Sequence, residues 1–146
     1  TFDKEIPMQA SITKQAMFDE ALAIRKEVLG AEYVERAFAV NDEFTADMQE
    51  YLTVHAWGAS WARRTAEGDL ALPKKTRSML NLAMISALNR PHELEIHIRG
   101  AINNGVSKRE MLEIFLQVAV YCGAPAMMDS IRLARKVWAE HGTKPA

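Results

Sequence analysis

Glu93 and His97 stand four residues apart in the stretch PHELEIHIRGAINNG, which runs from Pro91 to Gly105. On a helix that spacing stacks a carboxylate and an imidazole on one side. Such a pair can move a proton near neutral pH or aim a hydrogen-bond donor at a developing negative charge. It can also be purely structural, a core histidine steadied by a helical neighbour, and spacing alone favours that simpler role. Both groups border the apolar positions Leu94, Ile98, Ala101 and Ile102. A carboxylate or imidazole aimed into a core is costly unless it is paired or used. A second histidine, His55, ends the series Phe44, Met48, Tyr51 and Leu52 in helical register, which predicts an inward-facing stripe.

The elements that position these groups are helical. Pro91 fits the first turn of its helix, where an amide has no partner, and Asn103-Asn104-Gly105 supplies the stop. Upstream, residues 1–10 read as an extended lead-in. Ser11 or Thr13 can cap a helix to about Leu29, ended by Gly30, and a short helix follows from Glu32 to Val40. Asn41 or Asp42 then caps the helix that carries His55. The stretch HAWGASWARRTAEGDLAL, residues 55–72, reads as a long connection in which Trp57 either plugs the bundle or walls a pocket. Trp61 reads as a plug, and Arg63 or Arg64 is available for an anion.

Pro73 opens a further helix with Leu80, Ala83, Met84, Ala87 and Leu88 as its expected apolar face; Lys74, Lys75 and Arg77 lie in its first turn. Cations at a helix start could attract a carboxylate or simply face solvent. Ser107 and Glu110 form a capping box for a helix carrying Met111, Ile114, Phe115, Val118, Ala119 and Cys122, ended by Gly123. Pro125 begins the last helix, with Met127, Met128, Ile131, Ala134 and Trp138 expected inside. No run alternates like a strand. The fold class is therefore all-α, a bundle of about six to seven helices in one domain spanning 1–146. Apolar residues on more than one face of the last helices predict packing against another copy of the chain.

Composition narrows the function classes. Eighteen Lys and Arg balance nineteen Asp and Glu, so no basic surplus points to nucleic acid. The longest apolar stretch, Leu112 to Met128, is interrupted by Glu113, Gln117, Gly123 and Pro125, which argues against a membrane span. The first twenty residues contain no signal-like apolar run. Cys122 is the only cysteine, excluding a disulfide framework and a Cys-x-x-Cys pair, and cytoplasmic location is the expectation. His55, His92, His97 and His141 show no metal-binding spacing, so no metal is expected.

Five strings taken together are more specific: HAWG at 55–58, KTRS at 75–78, NLAMISALNR at 81–90, ELEIHIRGAINNG at 93–105 and QVAVYCGAPAMMDS at 117–130. In this order they resemble the carboxymuconolactone decarboxylase family, over roughly residues 25–140. The wider alkylhydroperoxidase D-like group carries a Cys-x-x-Cys just before the shared histidine. Here the matching residues are Arg90-Pro91-His92-Glu93, so thiol peroxidase chemistry has no route. The resemblance implies an alkylhydroperoxidase D-like all-α fold, a homo-oligomer (trimer or hexamer) and no cofactor. It also implies decarboxylation of 4-carboxymuconolactone, a small carboxylated lactone, to the β-ketoadipate enol-lactone in protocatechuate catabolism. An isomerase or lactone-handling enzyme on a related intermediate, or a non-catalytic oligomeric small-acid-binding protein, are the alternatives.

Under that resemblance His97 serves as proton donor or oxyanion donor, with Glu93 favouring its charged form and His55 as a second donor. Arg77 holds a substrate carboxylate or pairs with Glu93. Trp57 excludes water, and Tyr121 and Cys122 line the pocket or pack in the core. No cofactor is needed because the lactone takes up the electron pair itself.

Overall fold

The computed structural model describes residues 13–141. The lead-in at 1–10 and the Ser11 cap lie outside the described residues. Among those described, the chain forms α1 (Lys14–Leu29), α2 (Ala31–Ala39), α3 (Ala46–Leu52), a π-helical segment (Thr53–Trp61), α4 (Lys74–Ala87), α5 (Pro91–Asn103), α6 (Lys108–Cys122) and α7 (Ala124–His141). No strand is present among them; Arg64 and Leu70 form one isolated antiparallel bridge. Among the described residues no helix is long and apolar enough to cross a membrane.

Local chemistry sets most of the ends. Thr13 Oγ1 accepts the Ala16 amide at 3.2 Å and opens α1. The Asp42 carboxylate accepts the amides of Phe44 and Thr45 just before α3. The Ser107–Glu110 capping box is complete in both directions. Gly105, at φ +84°, and Gly123, at φ +98°, take the positive-φ conformation that lets α5 and α6 stop abruptly.

The core has two parts. Leu82, Leu94, Ile98, Ala101, Met111, Phe115 and Val137 fill the larger, between α4, α5, α6 and α7. Ala21, Ile24, Val28, Trp57 and Trp61 fill the smaller, between α1 and the π-helical segment. Helix α5 joins them: it packs on α4 and α7, and also on α1. It buries Leu94, Ile98 and Ala101, as its spacing predicts, together with Gly100, while Ile102 is partly buried. At Gly100 the helices are so close that a Cβ would lie 3.0 Å from Val28 Cγ1. Asn103 Nδ2 donates to Val28 O at 2.8 Å and locks the crossing.

Four expectations are corrected. Phe44, at 89% exposed, and Met48, Tyr51, Leu52 and His55 face solvent rather than the core of this chain. Residues 55–61 are not a loop; α3 continues into them as π-helix, and Ala62 N donates to Trp57 O at 2.7 Å in the wider turn. Helix α4 buries Ser78, Leu82 and Ser86, leaving Leu80, Met84 and Leu88 outside. On α7, Met128 is half exposed.

Gly100 gives the first test. Gly100→Ala gains about 1 kcal/mol of helix propensity, but its Cβ would crowd the buried Val28 Cγ1 at 3.0 Å and Leu29 Cδ2 at 3.3 Å, so the two effects offset and stability should stay near wild type. Gly100→Leu should lose about 1–3 kcal/mol through overpacking. Urea unfolding of the three proteins measures both.

Candidate active site

The seam between α4 and α5 carries polar side chains inside an otherwise apolar bundle. Asn104 Nδ2 donates to the buried Ser78 Oγ at 2.9 Å. One turn further along α4, the Asn81 amide nitrogen donates to His97 Nδ1 at 3.4 Å. A ring nitrogen that accepts carries no proton, so the neutral ring bears its hydrogen on Nε2. His97 is half-buried, and burial lowers its pKa; the Glu93 charge acts in the opposite direction without prevailing. The expected effect of Glu93 therefore has the right sign, but burial outweighs it and the uncharged imidazole is favoured. Glu93 itself is exposed, and it acts on His97 as a nearby charge.

Arg77 precedes Asn81 by four residues, one turn along the same side of α4. Its Nη1 donates to Ser60 Oγ at 3.2 Å, at the end of the π-helical segment. Its Nε is buried without a hydrogen-bond partner. Burial, and then the positive charge of Arg63, depress its pKa. Among the described residues Arg77 forms no ion pair with Glu93 or any other carboxylate, so one of its two expected roles falls away. The neighbouring cations are neutralised: Lys74 pairs with Glu27, Lys75 with Glu110, and Arg64 with Glu20. Lys74 and Lys75 are thus engaged with glutamates of the chain.

The remaining candidates lie apart. His55 is exposed and rests its ring on Tyr51, centroids 4.2 Å apart, in a depression shared with Lys14, Asp47 and Glu50. Trp57 and Trp61 are both buried and stacked at 5.0 Å against α1, so both plug the smaller core. Tyr121, at 80% exposed, and Cys122 are not core residues; they border a groove of about 420 Å³ between α4 and α6. Among the described residues no group of three His, Cys, Asp or Glu gathers to hold a metal ion.

Sequence reasoning missed Asn81, Ser60 and Tyr33. Asn81 interrupts the apolar run MLNLAM at residues 79–84, the one signal that could have drawn attention to it. Tyr33 on α2 is partly buried, and burial followed by the nearby Glu93 charge raises its pKa, keeping the phenol protonated beside that carboxylate.

The sequence model of the carboxymuconolactone decarboxylase family matches residues 46–136, from α3 into α7. The chain is 42% identical over 120 residues to a nitrosuccinic acid decarboxylase of Metarhizium robertsii, covering 82% of this chain and 80% of that protein. It is 35% identical over 128 residues to a 4-carboxymuconolactone decarboxylase of Acinetobacter baylyi, covering 88% and 91%. The chain belongs to the carboxymuconolactone decarboxylase family, and both relatives set it among carboxy-lyases.

The depressed pKa of His97 is testable by NMR. His97 should take up its proton below the ordinary value of about 6.5. Because the unfolded chain then binds the proton more readily, stability should fall as pH drops below that value, and His97→Gln should flatten the slope. Asn81→Asp should move the His97 midpoint upward, since a carboxylate partner favours imidazolium. A wild-type midpoint at or above 6.5 would contradict the burial argument.

Proposed function

We propose that the chain decarboxylates a small dicarboxylic acid whose reacting carbon is conjugated to an oxygen able to take the electron pair, with 4-carboxymuconolactone as the substrate. The neutral, half-buried imidazole of His97, held at Nδ1 by Asn81, is the observation that carries this reading. The substrates named for the two relatives have one skeleton in common. In each, one carbon bears a carboxylate, a carboxymethyl arm and an electron sink, a nitro group in one and an unsaturated lactone in the other.

As carbon dioxide leaves the lactone, the C–C electron pair passes through the ring double bond onto the lactone carbonyl oxygen. A proton then restores carbon, giving the enol-lactone. The site's task is to stabilise the oxygen anion as it forms. A neutral imidazole is a poor acid but a good hydrogen-bond donor, so Nε2–H of His97 is assigned to that oxygen rather than to proton delivery. Asn81 fixes the tautomer, Glu93 adjusts the ring's charge, and Arg77 holds a carboxylate. No cofactor is required, since the substrate supplies its own electron sink. Within one chain His55 is assigned no step.

The exposed apolar face of α4 (Leu80, Met84, Leu88) and that of α6 (Leu116, Val120) support a homo-oligomer in which copies cover these faces. Sedimentation should give a multiple of 16.4 kDa. Met84→Glu combined with Val120→Glu should shift the mass toward one chain.

Loss of the lactone's ultraviolet absorbance tests the reaction. His97→Ala should reduce kcat by about 10²–10³, the usual cost of one oxyanion donor. Asn81→Ala should cost less. A His97→Ala enzyme within tenfold of wild type would remove His97 from the reaction, and an inert wild-type protein would remove the substrate.

A further inference from the structure

Between residues 60 and 77, two of the five cations, Arg63 and Arg77, pair with no carboxylate among the described residues, and both lie near Ser60, Arg77 through its side chain and Arg63 through its backbone. Arg77 Nη1 donates to Ser60 Oγ, and the Arg63 amide donates to Ser60 O at 3.3 Å, which sets the base of the Arg63 side chain beside that serine. Arg64 lies next to Arg63 in sequence but is spent on Glu20 and on Gly68 O. Two guanidinium groups brought together with no anion repel one another, and Arg77 is partly desolvated as well. A fold that pairs Arg64, Lys74 and Lys75 with glutamates while leaving Arg63 and Arg77 open has reserved these two for an anion from outside the chain.

We propose that Ser60, Arg63 and Arg77 form the seat for the carboxylate that the substrate keeps, and so select dicarboxylic over monocarboxylic acids. The proposal rests on the decarboxylase reading and assigns its second carboxylate. The seat lies one turn of α4, about 6 Å of helix rise, from the Asn81 that holds His97. That offset suits a carboxymethyl arm reaching one way and an electron sink the other. The departing carboxylate cannot be the one held. It loses its charge as carbon dioxide forms, and a cation upon it would stabilise the ground state more than the transition state. A cation on the retained carboxylate acts on both states alike and binds without opposing the chemistry. The planar forks of two arginines and a hydroxyl provide five or more donors for two carboxylate oxygens.

Succinate and propionate differ by the carboxylate in question and do not react, so they read the seat without turnover. By calorimetric titration at low salt, succinate should bind at least tenfold more tightly than propionate. Arg63→Gln and Arg77→Gln should bring the two within twofold, Arg77→Lys should keep part of the preference, and Arg64→Gln should keep all of it. Circular dichroism verifies that each variant is folded; if Arg77→Gln is not, Arg63→Gln and Arg77→Lys carry the comparison. An undiminished preference in Arg63→Gln and Arg77→Lys, or no preference in the wild type, overturns the seat. On the lactone, the same variants should raise KM at least tenfold with a smaller change in kcat. A wild type that leaves the lactone unchanged yet shows the arginine-dependent succinate preference retains the seat and removes the reaction. A wild type that consumes the lactone with KM unmoved in both arginine variants does the reverse.

Discussion

Buried polar groups need partners, and in this chain that requirement sets the rotation of α4. Its inward positions include Ser78 and Ser86, with Leu82 between them at helical spacing. Ser78 is met by Asn104 from the end of α5, and Ser86 by the hydroxyl of Ser130 on α7 at 2.9 Å. Each unmade bond would cost about 1–3 kcal/mol, comparable to burying a Leu side chain, so satisfying both can outweigh turning Leu80 or Met84 inward. The small serine side chains also let α4 approach its neighbours closely. With α4 so rotated, Asn81 reaches His97 while Arg77 reaches Ser60.

The same rotation leaves the outer side of α4 apolar, and this surface continues onto α6 at Val120 and Tyr121. The smaller core is braced differently. Arg25 is almost fully buried and, among the described residues, pairs with no carboxylate; its Nη1 donates to Thr53 and Gln49, and its guanidinium lies 5.5 Å from the Phe38 ring centre. It therefore ties α1 to α2, α3 and the π-helical segment through neutral partners. Burial disfavours its charge, as for Arg77, and among the described residues both guanidinium groups keep a buried Nε without a partner; Arg25 Nη1 is held by two neutral side chains, Arg77 Nη1 by one serine.

Elements whose outline depends on neighbours in sequence were readable. Capping by Thr13 and Ser107, the stops at Gly30, Gly105 and Gly123, and the buried face of α5 all follow from local chemistry. Most of the failures share one cause: apolar periodicity marks an apolar face, without saying whether the core of this chain covers it. Phe44, Met48, Tyr51 and Leu52 hold perfect helical register and still face outward in this chain. On α4 the apolar periodicity traced the outer surface, while the true inner face was disguised by its serines. The π-helical widening after Leu52 has no compositional signature, so Trp57 and Trp61 looked like loop residues. For the candidate site, the Glu93–His97 spacing placed the two residues on one helix, as the fold has them on α5. It could not reveal Asn81 as the hydrogen-bond partner, because that depends on how α4 lies across α5.

The distribution of charge around the seam suits a reaction in which negative charge leaves one group and arrives at another. At about 4 Å and an effective dielectric near 20, a full cation beside a carboxylate contributes roughly 4 kcal/mol. Set against the departing carboxylate, much of that attraction would vanish as carbon dioxide forms, slowing the step by up to about a thousandfold. An imidazolium at His97 would bring such a cation into the seam. A neutral ring brings only a directed N–H, whose attraction grows as the oxygen gains charge. Burial is what keeps the ring neutral, and the Asn81 amide is what directs it. Under the proposed reading, the pairing of Lys74, Lys75 and Arg64 with glutamates serves the same end, because it occupies cations that would otherwise attract the departing carboxylate. Under the proposed reading, Arg77 with Arg63 nearby holds the retained carboxylate while His97 offers a neutral donor, a separation of charges that suits decarboxylation of a dicarboxylic acid.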